Sequence, residues 1–170
     1  MTDDAPHTQA YAPGSGTQIG WRVCDKCYGL FYANNQSFFG VCPAVGPHHW
    51  VTSLLYGLGY GTVNLGLPSQ SGWTVCDKCY VLFYFEAQGS SVCPAALGGP
   101  HNGSYSFNYN LPTSQGGPSS VPTQPGWRVC DKCYGLFYGK DRNFGICPAA
   151  GPHHWGTSDN YCLYSPPSVA

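Results

Sequence analysis

Apolar residues in this chain fall in short runs broken by Gly, Pro, Ser and Asn. Trp21–Cys24 and Tyr28–Tyr32 flank a Cys-Asp-Lys-Cys turn, Phe39–Cys42 is a third run, and Leu54, Tyr56, Leu58 and Tyr60 alternate with small residues. Short aromatic-rich runs and alternation by two are strand signals, so this stretch predicts about four short strands.

The same pattern then recurs. Gln18–Tyr32 is echoed by Gln70–Tyr84 and Gln124–Tyr138, with the leading tryptophans 52 and 54 residues apart. Cys42-Pro43-Ala44 returns as Cys93-Pro94-Ala95 and Cys147-Pro148-Ala149, and a histidine follows each time at His48, His101 and His153. After each histidine come four residues, then Ser, two residues, Tyr, one residue and Leu, which aligns Ser53, Tyr56 and Leu58 with Ser106, Tyr109 and Leu111 and with Ser158, Tyr161 and Leu163. Three tandem units over 18–69, 70–123 and 124–170 follow, after a polar segment over 1–17 read as a flexible tail. The links at 61–69 and 112–125 are turn and loop material rich in Gly, Ser, Pro and Thr. Val63, Leu65 and Leu67 alternate within the first link and suggest a further edge strand.

Composition sharpens this into an all-β expectation. Only 9% of the 170 residues are charged, against 23 Gly, 15 Pro and 13 Tyr, and helices would need charged straight-chain residues on their wet faces. A net charge of −1 with seven scattered basic residues excludes the electrostatic footprint of a nucleic-acid binder. No apolar run approaches the length of a membrane span. Met1–Pro13 is polar and carries Asp3 and Asp4, unlike a secretory signal, so the expectation is a cytoplasmic protein or one exported without a classical signal peptide.

Ten cysteines are the conspicuous chemistry. Each repeat spells Cys-x2-Cys, 13 or 14 residues, Cys, five or seven residues, His. The three sets are Cys24, Cys27, Cys42, His48; Cys76, Cys79, Cys93, His101; and Cys130, Cys133, Cys147, His153. Three thiolates and an imidazole make the soft tetrahedral donor set of structural Zn²⁺, and a Cys-x2-Cys turn grips one ion from a single bend. Three cysteines per repeat cannot pair off as disulfides within it, and tetrahedral iron is the lesser metal alternative. His49 and His154 compete with their neighbours as ligands, but repeat two has Asn102 at that place, which favours His48 and His153. Four protein ligands leave no open position for water, so the expected zinc is structural, three ions in all.

Such a centre carries one net negative charge, and Lys26, Lys78 and Lys132 lie inside the gripping turns, with Arg22 and Arg128 just before two of them. Six of the fifteen charged residues are the Asp-Lys pairs of these turns. Asp25, Asp77 and Asp131 read as turn formers bonding the backbone. Trp21, Trp73 and Trp127 read as core. The His-Trp pairs His49-Trp50 and His154-Trp155, replaced by Asn102-Gly103 in repeat two, are candidate contacts for a ligand or partner, with local packing as the alternative. Cys162 falls outside the repeat pattern and reads as a spare thiol, or else as one half of an intermolecular disulfide. No phosphate loop, nucleophile triad or repeated carboxylate pair is present, and no enzyme is expected.

The run Gly-Trp-Arg-Val-Cys-Asp-Lys-Cys-Tyr-Gly-Leu-Phe-Tyr, with Cys-Pro-Ala, Gly-Pro-His and Ser-x-x-Tyr-x-Leu, resembles a tandem Trp/Cys/His repeat of largely uncharacterised bacterial proteins. The resemblance implies a small zinc-binding β-module and supplies no activity; Gly-Pro-His-His stands where that family often has Gly-Gly before the histidine. Three zinc-ribbon-like units are expected to pack as one pseudo-threefold, trefoil-like body, with separate beads as the alternative. The matching function is a non-catalytic binding module for carbohydrate or a cell-surface partner. A self-assembling structural protein, as a homo-oligomer, filament or coat, is the rival class, and metal buffering is a third.

Overall fold

A computed structural model of the chain describes residues 14–34, 39–103, 106–113, 121–140 and 144–166. Among these residues nine strands form one sheet: β1 (Gly16–Val23), β2 (Leu30–Tyr32), β3 (Tyr56–Tyr60), β4 (Ser69–Val75), β5 (Leu82–Tyr84), β6 (Tyr109–Pro112), β7 (Thr123–Val129), β8 (Leu136–Tyr138) and β9 (Tyr161–Tyr164). The all-β expectation holds, and the repeats are packed together.

Each repeat contributes three strands where about four were expected. Its long first strand pairs antiparallel with the other two, in one register: Trp21 faces Tyr32 and Tyr56, Trp73 faces Tyr84 and Tyr109, Trp127 faces Tyr138 and Tyr161. The Phe39–Cys42 run joins no ladder, because Gly40 turns the backbone at a φ of 79° and the Cys42 amide donates to Gly46 O at 2.8 Å. That run forms a second tight turn instead of a strand. Val63, Leu65 and Leu67 likewise make turns and no edge strand: Val63 N donates to Tyr60 O, Leu67 N donates to Asn64 O, and Leu65 has a φ of 58°. The segment read as tail gives its last two residues to β1, which begins at Gly16; residues 1–13 lie outside the described residues, as does Tyr105 of the repeat-two alternation. A 3₁₀ segment, Phe85–Ser90, follows β5 in repeat two.

The register of β1, β4 and β7 shifts just before the tryptophan, at Gly20, Gly72 and Gly126, whose φ values of 122°, 96° and 101° belong to the region only glycine enters cheaply. That bulge explains the Gly before each Trp.

The repeats close on one another at both ends. At one end β3 pairs with β6 and with β9. At the other, single bridges run Phe31 to Val81, Phe83 to Gly135 and Phe137 to Gly29, a cycle that visits each repeat once. The sheet is thereby nearly closed and barrel-like, with approximate threefold repetition. Short edge strands are tied to a neighbour, as all-β folds require. On the axis of this cycle Pro43, Pro94 and Pro148 converge with Gly29, Val81 and Gly135 around a void of about 10 Å³.

Trp21, Trp73 and Trp127 are fully buried in a core with Tyr56, Tyr109 and Tyr161 and the leucines of the same strands. Each indole meets a tyrosine of another repeat edge-on at 5.2 Å: Trp21 with Tyr109, Trp73 with Tyr161, Trp127 with Tyr56. Such pairs add about 1 kcal/mol each beyond area burial. The tyrosine hydroxyls donate across the same seams, Tyr56 to Gln124, Tyr109 to Gln18 and Tyr161 to Gln70, at 2.5, 2.6 and 2.7 Å. Cys162 is completely buried in β9, and burial raises its pKa; that placement suits a spare thiol and leaves no access for an intermolecular disulfide.

Candidate metal centres

The four donors of each repeat converge, with their ligand atoms all within 4.8 Å of one another and every donor residue at most 5% exposed. Two tight turns of the backbone place them. The first is the Cys-x2-Cys turn, in which Tyr28 N donates to Cys24 O at 2.9 Å and Cys24 N to Gly29 O at 3.0 Å, with the same bonds around Cys76 and Cys130. The second holds Cys42, Cys93 and Cys147, whose amides donate to Gly46, Gly99 and Gly151, each at 2.8 Å. The histidine follows that turn directly.

Sulfur–sulfur distances of 3.8 Å recur for Cys24–Cys42, Cys76–Cys93 and Cys130–Cys147. A tetrahedron with zinc–sulfur arms of about 2.3 Å has edges of about 3.8 Å. Histidine Nδ1 lies 3.6, 3.4 and 3.6 Å from Cys27, Cys79 and Cys133 Sγ, so Nδ1 is the nitrogen turned to the centre. In repeat one Nε2 donates to Cys79 O of repeat two at 3.0 Å, which fixes the tautomer and crosses the repeat seam. Phe31, Phe83 and Phe137 stack on the three imidazoles at 4.8, 4.8 and 4.7 Å. Backbone amides reach the sulfurs: Ala44 N to Cys42 and Ala149 N to Cys147 at 3.4 Å, Asn102 N to Cys76 at 3.5 Å.

Left to themselves the thiols are in conflict. Hydrogen bonds from Cys27 and Cys42 hold Cys24 well below the usual thiol range, while its bond to Cys24 and burial push Cys27 well above it. Cys93 and Cys147 are pushed up to about 11, first by their bonds to Cys76 and Cys130. One thiolate is favoured at the expense of its neighbours. A divalent cation removes that conflict by stabilising three thiolates at once, and these donors fit zinc in identity, number and spacing. The described cysteines form no disulfide. The three groups therefore fit three zinc ions, each in a closed shell.

The other repeated polar residues tie the two turns together. Lys26 Nζ donates to Val45 O at 2.7 Å and Pro47 O at 2.9 Å, and Lys132 repeats this with Ala150 O and Pro152 O. These lysines thus bind the loop around the centre through its carbonyls. Ser53, Ser106 and Ser158 each accept the amide that precedes the first cysteine, from Val23, Val75 and Val129, all at 2.9 Å. The Ser of the His-x4-Ser pattern is a tether between the last strand and the metal turn.

His49, Trp50, His154 and Trp155 lie outside the donor sets and have intramolecular partners. His49 Nδ1 contacts Asp25 Oδ2 at 2.8 Å, His154 Nδ1 contacts Asp131 Oδ2 at 2.8 Å, and Asn102 Nδ2 donates to Asp77 Oδ2 at 2.8 Å. Asn102 is therefore the functional equivalent of the second histidine, and the aspartates bond this side chain where backbone bonding was expected. Arg22 lies over Trp50 and Arg128 over Trp155, both at 3.9 Å, and the same guanidiniums donate to Ser53 O and Ser158 O. Burial lowers the pKa of Arg22. In repeat two both members change together: Thr74 replaces Arg, and at Gly103 a Cβ would stand 2.5 Å from Thr74 Oγ1. Sequence reasoning saw each half of this exchange and missed that they touch.

Set against protein-family models, curated proteins and solved structures, the chain matches none. The resemblance to the bacterial Trp/Cys/His repeat thus narrows to what the clusters themselves support, a tandem zinc-binding repeat. Among the described residues no helix is long and apolar enough to cross a membrane.

Proposed function

We propose that this protein is a non-catalytic binding module, its three zinc centres serving as the scaffold, and that its ligand is a neutral carbohydrate. One observation carries the reading: at all three equivalent centres four protein donors are buried and complete, so the metal has a structural task and no position for a reacting water. Function then falls to the surface outside the centres. Only 9% of the chain is charged, and tyrosine–glutamine pairs close the repeat seams, a combination that suits hydroxyl-rich neutral ligands. Ordered self-assembly has weaker support, because the short edge strands are bridged to the next repeat.

The test is binding of the zinc-loaded protein to an immobilised glycan panel, with light scattering of the same sample. Retention on neutral glycans by a small, monodisperse particle supports the reading. No retention on any glycan overturns it, and particle growth with concentration would favour assembly instead.

A further inference from the structure

Two clefts lie at seams between repeats, and they are the same cleft twice. The first, of about 270 Å³, is lined by Asp25, Tyr28, Ser53 and Tyr56 of repeat one and by Gln124 and Tyr138 of repeat three. The second, of about 320 Å³, is lined by Asp131, Tyr134, Ser158 and Tyr161 of repeat three and by Gln70 and Tyr84 of repeat two. Residue for residue these sets occupy matching places in the repeat. Their floors are the tyrosine–glutamine bonds that close the seams.

We propose that these clefts are the carbohydrate subsites, each taking one neutral pyranose unit. Phenol faces offer apolar ground for the C–H face of a sugar ring, while the carboxylate and the glutamine amide face its hydroxyls. The carboxylate is preset: His49 and His154 hold Asp25 and Asp131, whose side chains remain 38% and 45% exposed. Among the described residues neither cleft is lined by Lys or Arg, which disfavours phosphate, sulfate or a carboxylate ligand. The volumes sit at the small end of ligand sites, about 300 Å³, which fits one ring. The clefts differ at one wall, where Leu54 in the first is replaced by Asp159 in the second, so their affinities differ. The third seam carries matching residues, Asp77, Tyr80, Ser106 and Tyr109 with Gln18 and Tyr32, and the Tyr109–Gln18 bond crosses it as its counterparts do.

This inference rests on the carbohydrate reading and is tested so that the two can fail separately. The zinc-loaded full chain is titrated by ligand-observed NMR with glucose, galactose, mannose and N-acetylglucosamine, with tetramethylammonium and inorganic phosphate as counter-probes. At least one sugar should bind with two or more equivalents per chain. Tyr28→Ala with Tyr134→Ala, and separately Asp25→Asn with Asp131→Asn, should weaken it at least tenfold while the zinc content stays at three per chain. Trp50→Ala with Trp155→Ala should leave it unchanged. If the tryptophan pair abolishes binding and the cleft variants do not, the clefts are wrong and the carbohydrate reading survives. If ammonium or phosphate binds in the clefts in place of every sugar, the proposed ligand class is overturned. If no sugar binds and no glycan is retained, both readings fall.

Discussion

The backbone amide of Tyr138 donates to the carbonyl oxygen of Tyr28 at 3.0 Å, joining the end of β8 in repeat three to the metal turn of repeat one. Tyr32 to Tyr80 and Tyr84 to Tyr134 complete the cycle at 3.1 Å each. The accepting tyrosines have φ of 65°, 67° and 62°, a left-handed conformation that costs a non-glycine residue energy and that the metal turn imposes. Each zinc turn therefore holds an acceptor for its neighbour. Metal and inter-repeat closure are coupled.

Removal of zinc should consequently unfold the body in one step. A structural zinc site contributes about 10 kcal/mol or more, beyond what a three-strand unit can supply by itself. Titration with a chelator, followed by circular dichroism and by released zinc, should give one shared transition. Three separable steps would mean that the repeats stand alone.

The two adjacent histidines should separate cleanly. His48→Ala should lower the zinc content below three per chain, because Nδ1 of that ring faces the Cys27 sulfur. His49→Asn copies the Asn102–Asp77 arrangement and should keep three zincs, with stability within about 0.5 kcal/mol of the parent. Elemental analysis of both variants is the check; loss of zinc from His49→Asn would reassign the ligand.

Arg22 and Trp50 should behave as one unit. Each single alanine variant is expected to cost about 1 kcal/mol in urea denaturation, and the double variant less than the two together, since either change already removes the stacked contact. Additive costs would show that the pair contributes nothing jointly.

The seam tyrosines predict an alkaline limit. Burial holds the Tyr56, Tyr109 and Tyr161 phenols above their ordinary value of 10.0, so the folded chain keeps protons that the unfolded chain gives up. That contribution is complete below pH 10 and is lost progressively as pH rises above it. Stability measured at pH 8, 10 and 11 should fall along that series. Tyr109→Phe should start about 1 kcal/mol lower, for its lost bond to Gln18, and then fall less steeply; an identical slope would refute the assignment.

Local features of the fold were open to sequence reasoning because they are set within a few residues. The Cys-x2-Cys turn, the strands on either side of it and the buried tryptophan all follow from spacing and side-chain type inside one repeat. Phe39–Cys42 shows where such reasoning stops. Its apolar run reads as a strand, but the Cys42 amide is taken up by the second metal turn, and Gly40 is needed because a Cβ there would stand 2.1 Å from Cys79 O of the next repeat. The close approach of another repeat leaves no mark in the local pattern.

The sequence by itself determined the repeat, the twelve donors and their grouping by four, since metal ligation depends on residue identity and short separations. Tertiary structure alone decided which repeat faces which. The bonds that close the body, such as Tyr109 to Gln18, join residues 91 positions apart, and chain spacing carries no information at that range. The partnership of Trp50 with Arg22 and the two equivalent clefts between repeats arise in the same way. They are made where distant segments meet, which is why the sites proposed for function lie at seams the linear pattern does not show.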